Sequence, residues 1–131
     1  MPPAKLDLSP LRRSLTALRK VTRMDLEDEV VRDAAIKRFE FTYEIAWKMM
    51  KRHLEWAGQS GLSALPRREL FRLAARSSLI EDPARWFTYH DGRNLTSHTY
   101  DEANARQVVA LLKDFVKDTN KLLNALKEYH A

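Results

Sequence analysis

Cysteine is absent from the 131 residues. Disulfides, thiolate metal ligands and thiol catalysis are therefore excluded, and the cytoplasm is the expected compartment. Glycine is scarce, at three residues, so no glycine-rich loop can cradle a phosphate. Neither a P-loop nor a dinucleotide fingerprint occurs, and neither an ATPase nor a dehydrogenase is expected. No apolar run approaches the roughly 20 residues that span a bilayer. The opening MPPAKLDLSP lacks the apolar stretch of a secretion signal, so no membrane attachment is expected. The four histidines, His53, His90, His98 and His130, fall at no zinc-binding spacing, and neither a metal nor a cofactor is expected. There is no serine elbow, and the scattered acids suggest no paired-carboxylate hydrolase.

What remains is a chain with 44% hydrophobic and 31% charged residues, the composition of a helical protein that folds. Its length suits one domain, taken as residues 1–131. A formal charge of +5 favours an anionic partner such as RNA, a nucleotide or an acidic protein surface.

Apolar periodicity predicts up to five helices. The first starts at Ser9 with a hydroxyl cap and Pro10 in its first turn, and sets Leu11, Leu15, Leu18 and Thr22 on one side. The second carries two adjoining stripes. One runs through Ala35, Phe39, Thr42, Ala46, Met49, His53 and Trp56, the other through Ile36, Tyr43, Trp47, Met50, Leu54 and Ala57. Gly58 ends it, and GQSGLSAL forms a loop. Pro66 opens a third helix, PRRELFRLAARSSLI, with Leu70, Leu73, Ala74 and Ser77 inward and Arg67, Arg68, Arg72 and Arg76 on a solvated face. Ser78 stands there where glycine would suit a helix end. Asp82 and Pro83 start a fourth helix through Trp86, Tyr89 and His90, in which Gly92 either is tolerated or marks a bend. The last helix, from about Asp101 to Tyr129, repeats Val108, Leu112, Phe115, Thr119, Leu122, Leu126 and Tyr129 as a bundle seam. With no hairpin signal or repeat, the fold class is all-α, an antiparallel up-and-down bundle of four or five helices.

The stretch RNLTSHTYDE, residues 93–102, concentrates the available chemistry. Arginine binds phosphate, histidine moves protons near neutral pH and tyrosine offers a hydroxyl. A helix continuing through Asn94 would stack Asn94 and His98 at a spacing of four, with Arg93 beside them and Tyr100 at the helix end. Such a group has parts for metal-free RNA cleavage, with a symmetric dimer supplying a second His98. The plainer alternative pairs Arg93 with Asp91 or Asp101 and leaves His98 and Tyr100 to cap helix ends.

RNLTSHTYDE together with AAIKRFEFTYEIAWKMMKRHLEWAG resembles the nucleotidyltransferase substrate-binding protein family, a HEPN-superfamily branch that includes the HepT toxins. The likeness runs from about Leu11 to Leu126. The superfamily signature is an arginine, four to six residues, a histidine, one residue and often a tyrosine, which Arg93, His98 and Tyr100 satisfy. The resemblance implies a HEPN-like all-α bundle that forms homodimers and associates with a minimal nucleotidyltransferase supplied as a separate chain. It implies that Arg93 binds phosphate and that His98 is an acid or base in metal-independent RNA cleavage. Tyr100 would be a hydroxyl near the phosphate or the acceptor of AMP, and Asn94 would orient the histidine or a nucleotide. Three functions follow: a partner subunit of the transferase in a toxin–antitoxin type pair, a ribonuclease toxin, or a structural dimer without catalysis.

Overall fold

A computed structural model describes residues 4–131; residues 1–3, where the stretch read for a secretion signal begins, lie outside the described residues. The described residues form five α-helices: α1 (Ser9–Thr22), α2 (Glu29–Trp56), α3 (Arg67–Arg76), α4 (Pro83–Leu95) and α5 (Glu102–His130). Short 3₁₀ turns at Leu62–Ala64 and Thr96–His98 interrupt the links before α3 and α5. No described helix is long and apolar enough to cross a membrane.

Aspartates start most of the helices. Asp28 accepts from the Val30 and Val31 N–H groups, Asp82 from Ala84 and Asp101 from Ala103, each satisfying donors that a helix start leaves free. At α1 the capping hydroxyl read at Ser9 is not used that way. Asp7 instead accepts from the Ser9 N–H at 3.0 Å and its hydroxyl at 2.6 Å. Two glycine-type endings close α2 and α3. Gly58 has φ +103°, and the Gln59 N–H reaches back to the Leu54 carbonyl at 2.9 Å. Ser78 takes the same left-handed position at φ +62°, and the Leu79 N–H reaches the Ala74 carbonyl at 2.9 Å. The third helix therefore stops at Arg76, short of the Ile80 expected, and the reversal at Ser78 buries Leu79 and Ile80 beyond it.

The core lies between α2 and α5, closed by α1 on one side and by α4 with α3 on the other. Phe39 meets Phe115 edge to face at 4.8 Å, Tyr89 meets the same ring at 5.1 Å, and Trp86 packs on Tyr89 at 5.3 Å. Several inward assignments change. Phe71, unassigned in the third helix, is fully buried, whereas Leu73 and Trp47 are half-buried and Ala57 is exposed. Val21 occupies the buried position next to Thr22, and at the end of the seam His130 is buried while Tyr129 is 45% exposed.

Gly92 does not bend α4. It lies buried inside the helix, and a Cβ there would come within 2.5 Å of Leu111 Cδ1 on α5. The missing side chain lets α4 approach α5 closely, which fixes the helix turn that carries Arg93.

Candidate functional site

Arg93 occupies the last turn of α4, and its side chain is directed toward α2. Its Nε donates to Glu44 Oε1 at 3.1 Å, Nη2 lies 3.5 Å from Glu40 Oε1, and Nη1 donates to the Thr96 hydroxyl at 3.3 Å. Glu40 and Glu44, one helical turn apart on α2, thus grip one edge of the guanidinium. The partners offered by the sequence are otherwise engaged: Asp91 lies 3.9 Å from Arg68, and Asp101 caps α5. They are near in sequence but do not reach Arg93, whereas the fold delivers α2. A guanidinium carries five N–H donors, and these three contacts leave one on each Nη. That end-on fork suits a phosphate or carboxylate taken with two parallel hydrogen bonds.

The α-helix ends at Leu95 because Thr96 competes for its hydrogen bonds: the Thr96 hydroxyl donates to the Arg93 carbonyl at 2.6 Å. Residues Thr96–His98 then wind as a 3₁₀ turn with about three residues per turn. The stack of Asn94 on His98, which needs continuous α-helical spacing, therefore does not form. Both are exposed, and neither side chain has a hydrogen-bond partner among the described residues. His98 contributes only its carbonyl, which accepts from Asn104 Nδ2 at 3.2 Å and from the Asp101 N–H at 3.2 Å. Tyr100 is 87% exposed in the turn before α5, its ring edge-on to His98 at 6.0 Å. Capping here is done by Thr96 and Asp101, and the two rings are left free. Tyr100 also walls a groove of about 550 Å³ with Arg32, Lys37, Glu40, Thr96 and Thr99. Glu40 belongs to both settings, so the Arg93 clamp and the tyrosine groove share a carboxylate.

Behind Arg93 lies a polar chain that the sequence reading did not assemble. Glu44 accepts from Trp47 Nε1 at 3.0 Å through its second oxygen. The Arg67 guanidinium lies 3.6 Å over the Trp47 ring and donates to the Tyr43 hydroxyl at 2.9 Å. That hydroxyl is 2.6 Å from His90 Nδ1. Burial pushes the Tyr43 hydroxyl up to about 12. Burial, reinforced by the Arg67 charge, holds the His90 imidazole below its ordinary value. One sequence signal pointed here: the spacing of four between Glu40 and Glu44, which sets two carboxylates on one helix face. The cross-links to α3 and α4 have no local signal. Among the described residues no group of histidine, aspartate or glutamate side chains could hold a metal ion.

Comparison with known proteins agrees with this architecture. Residues 6–128 match the family described as nucleotidyltransferase substrate binding protein like. A probable ribonuclease HepT of Haemophilus influenzae is 38% identical over 110 residues, covering 79% of this chain and 75% of the relative. The structure of HI0074 from Haemophilus influenzae, described as the fold of a substrate binding domain of a nucleotidyltransferase, superposes with a TM-score of 0.85. It is 32% identical and covers 92% of this chain and 99% of its own. A Thermus thermophilus protein superposes with a TM-score of 0.80 at 32% identity, covering 89% of this chain and 98% of its own.

Proposed function

Because this chain belongs to the nucleotidyltransferase substrate binding protein-like family, we propose that it is the HEPN-type partner subunit of a minimal nucleotidyltransferase encoded as a separate chain. In this reading the two form a cytoplasmic toxin–antitoxin type pair, this chain is a homodimer, and Arg93, His98 and Tyr100 form a nucleotide or RNA phosphate site. The observation that carries it is the clamped Arg93 with its open fork, set a few residues from the two free rings of His98 and Tyr100. Arg93 takes the phosphate, Asn94 and His98 contact the nucleotide, and the exposed Tyr100 hydroxyl is the acceptor of AMP. The expected outcome is an increase in intact mass by one or more AMP units when the protein is incubated with the transferase, ATP and magnesium. Tyr100→Phe should show none; an equal gain in that variant would remove Tyr100 from the mechanism.

A second reading, supported by the relative named a probable ribonuclease, makes the chain a metal-independent ribonuclease. His98 then removes the ribose 2′-hydroxyl proton, Arg93 neutralises the charge building on phosphorus, and His98 of a second copy protonates the leaving oxygen. Expression without the partner should be toxic, and His98→Ala should abolish toxicity while the helical circular-dichroism signal and melting temperature stay the same. A harmless, RNA-inert wild type would end this reading. The structural-dimer reading has less support, because His98 and Tyr100 do no capping.

A further inference from the structure

Two of the exposed arginines of α3 already have anionic partners. Arg68 lies 3.9 Å from Asp91, and Arg72 bonds Glu69. Arg67 has none: among the described residues no carboxylate lies within ion-pair distance of it. Its guanidinium is half-buried, laid flat over Trp47 at 3.6 Å and tied to the Tyr43 hydroxyl by one Nη1 bond of 2.9 Å. Stacking on indole orients the cation without cancelling its charge, and four of its five N–H donors remain without a protein partner.

The tautomer of His90 follows from the same contact. Arg67 can only donate, so the Tyr43 oxygen accepts from it and sends its single proton to His90 Nδ1, 2.6 Å away. The ring proton of neutral His90 is therefore on Nε2, a second donor on a ring that the Tyr43 hydroxyl joins to Arg67. His90 and Arg93 stand three residues apart on α4, hence on neighbouring turns of one face. Arg93 is connected to Arg67 as well, through Glu44 and Trp47.

We propose that Arg67 and His90 form a second phosphoryl-binding subsite next to Arg93, so that the chain takes a nucleotide ligand carrying two successive phosphoryl groups. The inference rests on the reading of Arg93 as a phosphate binder. Arg67 supplies a fixed charge with an open set of donors, and His90 supplies the Nε2 N–H. A phosphoryl group here also raises the tendency of His90 to become imidazolium. The charged and titratable groups facing His90 are Tyr43 and Glu44 from α2, Arg67 and Arg68 from α3, and Asp91 on its own helix. At His90, binding therefore takes up protons as the pH falls toward and below the ordinary histidine value of 6.5, opposed by the ligand's own phosphate, which a cationic site holds as the dianion.

Isothermal titration of the full chain with AMP, ADP and the 5′-phosphorylated diadenylate dinucleotide tests this, the last two distinguishing a diphosphate from a strand as the source of paired phosphoryl groups. ADP, the dinucleotide or both should bind tighter than AMP. Arg67→Gln should bring that ligand down to the AMP level, a loss on the order of ten-fold, and Arg67→Lys should lose less because it keeps the charge. His90→Gln should lower the proton uptake relative to wild type, leaving only the ligand's own contribution. Equal binding of all three ligands, no binding of any, or an unchanged affinity in folded Arg67→Gln would overturn the subsite. Loss in Arg67→Gln with full binding in Arg93→Gln would instead retain the subsite and refute the role given to Arg93.

Discussion

At Gly92 a methyl group would stand 2.5 Å from Leu111 Cδ1 and 3.6 Å from Phe39 Cζ. Overpacking of that kind costs about 1–3 kcal/mol, and the better helix propensity of alanine returns about 1 kcal/mol. Gly92→Ala should therefore destabilise by about 1 kcal/mol in urea unfolding, and the same substitution should become stabilising in a Leu111→Ala background, where the obstacle is gone. An identical effect in both backgrounds would mean that the helices part rather than clash. Read along the chain, Gly92 was only a weak point in a helix, since Leu111 is invisible from position 92. Arg93 was similar: its chemistry was legible from residue type and its place in RNLTSHTYDE. Its partners Glu40 and Glu44 belong to a helix some fifty positions earlier; their spacing of four puts them on one face, but nothing near Arg93 names them as its partners.

Helices were the most legible features, because their apolar residues recur at three and four, and an aspartate or a proline marks the start of each of the five. Their ends were less so. The α3 pattern runs on to Ile80 because Leu79 and Ile80 are buried too, although by a chain that has already reversed. The change to a 3₁₀ turn after Leu95 depends on a threonine hydroxyl finding a carbonyl, which periodicity does not record. Ser78 yields a prediction at this scale. A left-handed residue with a side chain is strained by about 1–2 kcal/mol, and glycine relieves this while adding freedom to the unfolded chain. Ser78→Gly should raise stability by about 1 kcal/mol, seen as a later urea midpoint with unchanged slope. A lower midpoint would show that the serine is comfortable there.

Across the whole molecule, the N-terminal segment is held by two histidines. The Leu6 N–H donates to His130 Nδ1 at 3.1 Å, so His130 carries its proton on Nε2 and donates to His53 Nδ1 at 2.9 Å. Both rings must be neutral, and both are held below the ordinary histidine value: His53 by burial and then His130, His130 by burial and then Lys5. The unfolded chain therefore binds more protons than the folded one as the pH falls through the ordinary value of 6.5, so this stability is present above that pH and lost below it. Thermal melts should show a lower melting temperature at pH 5 than at pH 7.5. A His53→Phe, His130→Leu double variant should show a smaller drop, and parallel pH curves for the two proteins would rule the pair out as the cause. The same contacts bring residues 5 and 131 together, with Lys5 Nζ on the Ala131 carbonyl at 3.2 Å. A peptide of a few residues could therefore join them without crossing the bundle, at a small closure entropy. If the chain were then opened between the exposed Gln59 and Ser60, α3 would become the first helix of a circular permutant, with all five helices and the Arg93 clamp intact.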